Sequence, residues 1–98
     1  MHLHGEYKHP GAKLVVVDLE CSGGRLYGVR VSGDFFLQPE SALDTIDAAL
    51  CGMPASASEE VLADAVRAAL DPGVLLYGIS PEAVAVAVRR AVDSGTAA

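Results

Sequence analysis

Apolar and polar residues alternate along the first third of the chain and then settle into a spacing of three and four, a pattern that predicts strands followed by helices. From Lys13 to Cys21, Val15, Val17, Leu19 and Cys21 fall on one face and Asp18 and Glu20 on the other. Leu14 and Val16 interrupt the polar face near its start, so that end is expected to be covered. Ser22-Gly23-Gly24 supplies a turn, and Arg25 to Gly33 resumes the alternation with Tyr27, Val29 and Val31 opposed to Arg30 and Ser32. Two alternating runs joined by a short glycine turn read as an antiparallel hairpin. Asp18 and Glu20 would face Arg25 and Arg30 across it, each pair contributing at most about 1 kcal/mol.

The period changes at Val31-Ser32-Gly33-Asp34-Phe35-Phe36-Leu37, which holds both phenylalanines of the chain. Gly33 lets the backbone bend there, and Asp34 is expected to bond neighbouring backbone amides through its carboxylate. Pro39 suits a first helical position, and Ala42, Leu43, Ile46, Ala49 and Leu50 form an apolar stripe with Glu40, Asp44 and Asp47 turned to water. Gly52-Met53-Pro54 stops that helix. A second follows, capped by Ser56 with Glu59 or by Ser58, with a stripe of Val61, Leu62, Ala65, Val66, Ala69 and Leu70 that ends at Asp71-Pro72-Gly73.

Val74 to Tyr77 is short and apolar, a third strand or an extended connector. Ser80-Pro81-Glu82 starts a third helix, apolar nearly all round from Ala83 to Val92 except Arg89 and Arg90. Such a helix is expected to be covered on more than one side, by this chain or by another. Asp93 to Ala98 is expected to fray, with Gly95 past the helix end, and Met1 to Gly11 to form a flexible terminus closing in a turn over Tyr7 to Gly11. The fold class is therefore α+β: an antiparallel β-hairpin or three-stranded sheet packed on one face by three α-helices, in a single domain over residues 1–98.

Composition bears mainly on function. With 51% hydrophobic and 20% charged residues in 98, the chain is a folded domain with a modest core. The apolar surplus fits either a face that meets a partner or a run of helix-forming alanines. A net charge of -6 argues against nucleic acid as a ligand, although Lys8, Lys13, Arg25 and Arg30 come early and leave room for a local basic surface. No apolar run approaches the roughly 18 to 20 residues that span a bilayer, and no charged-then-apolar signal opens the chain, so neither a membrane nor secretion is expected and the cytoplasm is.

Candidate chemistry is sparse. Cys21 and Cys51 lack the paired spacing of a metal or redox motif and are expected to be free, partly buried thiols. His2, His4 and His9 lie near Glu6; His2 and His4 would share a face of an extended strand, but no third ligand follows at a recognised spacing and no metal is expected. A catalytic reading needs a nucleophile, a base and an orienting group, and only Cys21 with a terminal histidine offers a pair. Gly23-Gly24 lacks the lysine and helix start of a phosphate-cradling loop. Catalysis by this chain alone is not expected.

One resemblance goes further. Gly5-Glu6-Tyr7-Lys8-His9-Pro10-Gly11-Ala12-Lys13-Leu14-Val15, the two-strand pattern, then Val31 to Glu40 with Gly33-Asp34-Phe35-Phe36, and later Ile79-Ser80-Pro81-Glu82 ahead of an Ala- and Val-rich helix, resemble the small accessory domain of lipoate-protein ligases. The resemblance covers nearly the whole chain; Lys8-x-Pro10-Gly11-x-Lys13 and the Gly-Asp-Phe-Phe segment are its specific parts, while His9 and Ala12 depart from it. It implies a two-part enzyme whose other, catalytic part binds ATP, Mg and lipoate, forms lipoyl-adenylate and passes the lipoyl group to a lysine of a lipoyl carrier domain. No cofactor is expected on this chain alone. Lys8, Gly11, Lys13, Gly33, Asp34, Phe35 and Phe36 are the candidates for facing partner or substrate. The rival reading is a free-standing interaction module or chaperone of another cofactor pathway.

Overall fold

The computed structural model describes residues 2–96. Its main sheet has three antiparallel strands, β1 (His2–Tyr7), β2 (Val15–Ser22) and β3 (Arg25–Gly33), in that spatial order. The alternation of β2 works as expected: Val15, Val17 and Leu19 are fully buried. In β3 it changes phase. Gly28 takes a φ of +56° and the register slips between Asp18 and Glu20, so β3 carries one extra residue at that point. Such a bulge suits glycine because a Cβ strains the left-handed conformation. As a result Leu26 points into the core with Val29 and Val31, while Tyr27, expected inside, is exposed.

The amino end also departs from expectation. Met1 lies outside the described residues, but His2 to Tyr7 form a strand rather than a flexible terminus. Leu3 and Gly5 point inward, and His2, His4 and Glu6 outward. The strand is held on its inner side by a helix that comes unusually close, as described next.

Three helices cover one face of this sheet. The first, α1 (Ala42–Leu50), packs on β3; α3 (Pro81–Thr96) packs on β1 and β2; and α2 (Glu59–Ala69) bridges the two helices. Pro39 lies in the turn ahead of α1 rather than in its first position. Ser58, not Ser56, caps α2, its Oγ accepting the Val61 N–H at 3.2 Å. Val61 itself faces solvent, and Ala63 takes the buried place beside Leu62 and Val66. Ser80 caps α3 in the same way, accepting the Ala83 N–H at 3.1 Å. Asp47, expected in water, instead accepts the Val31 N–H at 3.0 Å and so ties α1 to β3. Burial holds its carboxyl above its ordinary value against the opposing effect of that bond.

The contact of α3 with β1 is set by small residues. A Cβ on Gly5 would lie 2.3 Å from the Ala87 carbonyl oxygen and 2.4 Å from the Ala91 nitrogen, so strand and helix meet backbone to backbone. One turn on, Gly95 lies inside α3 against Leu3; the helix continues to Thr96 where a frayed tail was expected, and Ala97 and Ala98 lie outside the described residues. Arg89 donates to the carbonyls of Ala55 and Ala57, and to Asp93 at 2.8 Å, closing the other flank of the helix with residues of this same chain.

Val74 to Tyr77 does contribute a strand, but not to the main sheet. β5 (Leu75–Tyr77) pairs antiparallel with β4 (Phe36–Gln38) in a separate two-stranded sheet. The fold is α+β, with the hairpin extended to three strands by β1.

Candidate partner-facing surface

The loop between β1 and β2 is pinned on both sides. Its turn closes with the Ala12 N–H donating to the His9 carbonyl at 2.9 Å, leaving Gly11 exposed at the bend. The Lys13 N–H then donates to the Gly78 carbonyl at 3.2 Å, and the Asp34 N–H donates to the Leu14 carbonyl at 3.4 Å. Lys13 and Leu14 thus join two segments far apart in sequence. Both joints need glycine. Gly33 adopts φ +150°, and a Cβ there would lie 2.1 Å from the Leu14 oxygen; a Cβ on Gly78 would lie 2.4 Å from Lys13 Cγ.

A groove lies on either side of this seam. One, of about 490 Å³, is lined by Tyr7, His9, Gly11, Gly78, Ser80 and Glu82. The other, of about 580 Å³, is lined by Gly33, Phe35, Phe36, Glu40 and Asp44. Between them rises a ridge. Phe36 and Tyr77 are paired across β4 and β5, their ring centroids 5.5 Å apart and their planes tilted by 37°. Both rings are half-exposed, as is Leu75 on the same face. Phe35, one residue earlier, turns inward and packs against the core.

Elsewhere the polar groups answer one another. On the outer face of the main sheet, His2 Nε2 and His4 Nδ1 both donate to Asp18 Oδ1, at 3.0 and 2.8 Å, and His4 Nε2 donates to Glu6 at 2.7 Å. The Glu6 and Asp18 carboxylates hold the His4 imidazole above its ordinary value, and His4 holds the Asp18 carboxyl below its own. This network replaces the expected pairing of acids with arginines: Asp18 stands opposite Arg30 in the register but is bonded from β1, and Arg25 donates to the Gly52 carbonyl at 2.8 Å. Among the described residues no three His, Cys, Asp or Glu side chains are placed to hold a metal ion. Cys21 is half-buried against the core, on the face opposite His2 and His4, whereas Cys51, expected to be partly buried, is exposed at the end of α1; neither is in a disulfide. No helix among the described residues is long and apolar enough to cross a membrane.

No family model matches the chain. Lipoate-protein ligase A subunit 2 of Thermoplasma acidophilum does: it is 33% identical over 76 residues, covering 78% of this chain and 77% of that protein. The chain belongs to the lipoate-protein ligase A subunit 2 family. A solved structure of an archaeal lipoylation system, a bi-partite lipoate protein ligase and its E2 lipoyl domain from the same organism, superposes with a TM-score of 0.72 and 30% identity over 91% of this chain and 96% of that one.

Within this subunit 2 fold, the residues singled out from sequence fall into two groups. Gly11 lines the first groove, with Lys8 exposed in the same loop and Lys13 on the seam; Gly33, Phe35 and Phe36 line the second, with Asp34 beside them. Asp34 is engaged through its N–H rather than, as expected, through its carboxylate. Sequence reasoning missed Leu75 and Tyr77. Their signal was present as two large apolar residues two apart, which a strand sets on one face.

Proposed function

We propose that this chain is the accessory subunit of a two-part lipoate-protein ligase: it associates with a separate catalytic subunit and supports ATP-dependent formation of lipoyl-adenylate and transfer of the lipoyl group to carrier-protein lysines. The observation that carries this reading is the match to a ligase subunit 2 over 78% of the chain, together with the near end-to-end superposition on a chain from a bi-partite ligase system. ATP, Mg and lipoate belong on the catalytic subunit, the carrier domain engages transiently, and the dependence on ATP makes the cytoplasm the site of action.

The chemistry explains why a second subunit is useful. Lipoyl-adenylate is a mixed anhydride that water destroys, so the active site must exclude solvent until the carrier lysine arrives. A partner that orders a mobile substrate loop or covers the adenylate supplies that exclusion, and the positioning that goes with it, without contributing a reacting group. Lys8 and Lys13, both exposed, are assigned to acidic groups of the partner or to nucleotide phosphate.

The test is reconstitution. The purified chain alone is expected to form no lipoyl-adenylate and to stimulate a cognate catalytic subunit; adenylate formed by the chain alone, or a catalytic subunit indifferent to it, overturns the reading. A Lys8→Ala/Lys13→Ala variant is expected to weaken association or stimulation, and unchanged activity would reduce both lysines to solvated surface.

A further inference from the structure

We infer that the ridge of Phe36, Leu75 and Tyr77 is the docking face for the catalytic subunit, received by an apolar concavity of that partner which sets a carboxylate against Lys13 and a cationic group against Glu40 and Asp44. The inference rests on the proposed function for the partner's identity and adds where, and by what chemistry, the two meet.

Among the described residues, the large apolar side chains left half-exposed are Tyr27, Phe36, Val61, Leu75 and Tyr77. Tyr27 stands alone on the outer face of the main sheet and Val61 alone on α2, as scattered apolar residues commonly do. The other three are gathered by strand pairing. Phe36 lies opposite Tyr77 and Gln38 opposite Leu75, so all four project from one face of the β4–β5 sheet, while Leu37 and Leu76 turn to the core. A clustered apolar face with two aromatic rings is the composition of an interface centre. Two strands of three residues each hold such a face weakly by themselves, and a partner laid over it would complete the layer.

The shape and charge around the ridge narrow the partner. Phe36 forms a wall of the second groove, and the first groove begins at Gly78, the residue after Tyr77, so the ridge has a hollow on each flank. The flanks differ in charge. At the Tyr77 side Lys13 packs its stem on Gly78, and the acid that lines that groove, Glu82, is paired with Arg67; at the Phe36 side Glu40 and Asp44 line the groove. A bipolar rim fixes the orientation of what docks, because reversing the partner brings like charges together. Two copies of this chain meeting here would bring together molecules that each carry a net charge of -6, which disfavours self-association.

The experiment is calorimetric titration of the catalytic subunit with the full chain and with single variants whose melting temperatures match the wild type. Phe36→Ser and Tyr77→Ser are each expected to weaken binding at least about tenfold, as central aromatic anchors do. Lys13→Glu is expected to weaken it several-fold, more at low salt than at high. Tyr27→Ser and Val61→Ser, equally exposed but off the ridge, should leave affinity within about twofold. Should Phe36→Ser disturb the fold, Leu75→Ser and Lys13→Glu carry the test alone. Ridge variants that bind like the wild type overturn the docking face and leave the proposed function standing; so does a wild-type homodimer that the ridge variants dissolve without changing ligase binding. A wild-type chain that binds no catalytic subunit overturns both.

Discussion

The main sheet and the small β4–β5 sheet are built from the same kinds of residue, yet they dispose of their apolar faces in opposite ways. In the main sheet the central inward positions are closed by this chain: Val15, Val17, Leu19, Leu26 and Val31 are buried under α1 and α3, and glycine and alanine let α3 sit directly on β1. In the small sheet Leu37 is buried and Leu76 packs against the core, but Phe36, Leu75 and Tyr77 on its other face stand half-exposed. Closure on one side and exposure on the other separate what stabilises the domain from what it offers to a partner. Substitutions in the first region should cost stability, and substitutions in the second should cost association.

The strongest expected break is at Gly5. Gly5→Val would drive a side chain into the backbone of α3 at Ala87 and Ala91, which cannot yield as a side-chain tip would, and should destabilise the domain by about 3 to 5 kcal/mol in denaturant unfolding. Phe36→Ser makes the contrast: a half-exposed ring at the ridge should cost no more than about 1 kcal/mol of stability on the same measurement while weakening association. A loss at Phe36 equal to that at Gly5 would erase the distinction between the regions.

Asp47 sharpens it next. Asp47→Ala leaves the Val31 N–H without its acceptor and should cost about 1 to 3 kcal/mol, whereas Asp47→Asn keeps an oxygen there and removes a charge that burial disfavours. Because the folded-state carboxyl is raised, its ionisation penalty is absent below the ordinary value of 3.8 and complete once pH passes the raised value. Asp47→Asn should therefore match or exceed wild-type stability at neutral pH. A large loss for Asp47→Asn there would contradict the assignment.

The smallest effect is expected at His4, on the solvent side of the main sheet. Its raised value means that the contribution of the protonated ring is fully present below 6.5 and lost as pH rises through the folded value; that of Asp18, whose value is lowered, is present above 3.8 and lost as pH falls through its folded value. The network is thus complete between those limits. An NMR titration should show the His4 imidazole falling towards 6.5 in Glu6→Gln and Asp18→Asn, and no movement in either variant would dissolve the network as described.

How much of this was legible in the chain follows from the range of the interactions. The β2–β3 hairpin and the α3 cap are local and were readable from alternation and from Ser-Pro-Glu punctuation, while the start of α2 was readable only to within Ser56 or Ser58. Tyr27 was misread because a single left-handed glycine, Gly28, reverses the alternation, and period alone does not reveal a bulge. The strand at His2–Tyr7 was missed because it depends on α3, more than 80 residues away, and Gly5 reads as a loop residue until Ala87 and Ala91 stand beside it. Of the surface, Gly33, Phe36 and the two lysines could be picked out from their motifs. The spacing of Leu75 and Tyr77 was readable too, but not their place beside Phe36, since only the pairing of β4 with β5 sets Tyr77 against it.

The most direct test of the whole account is the rate of lipoyl-adenylate formation by a cognate catalytic subunit, measured with no addition, with this chain, and with its Phe36→Ser/Tyr77→Ser variant. The account predicts a rate raised by the wild-type chain, left at the unassisted level by the folded variant, and zero for the chain alone. Adenylate made without the catalytic subunit, or full stimulation by the variant, would contradict it.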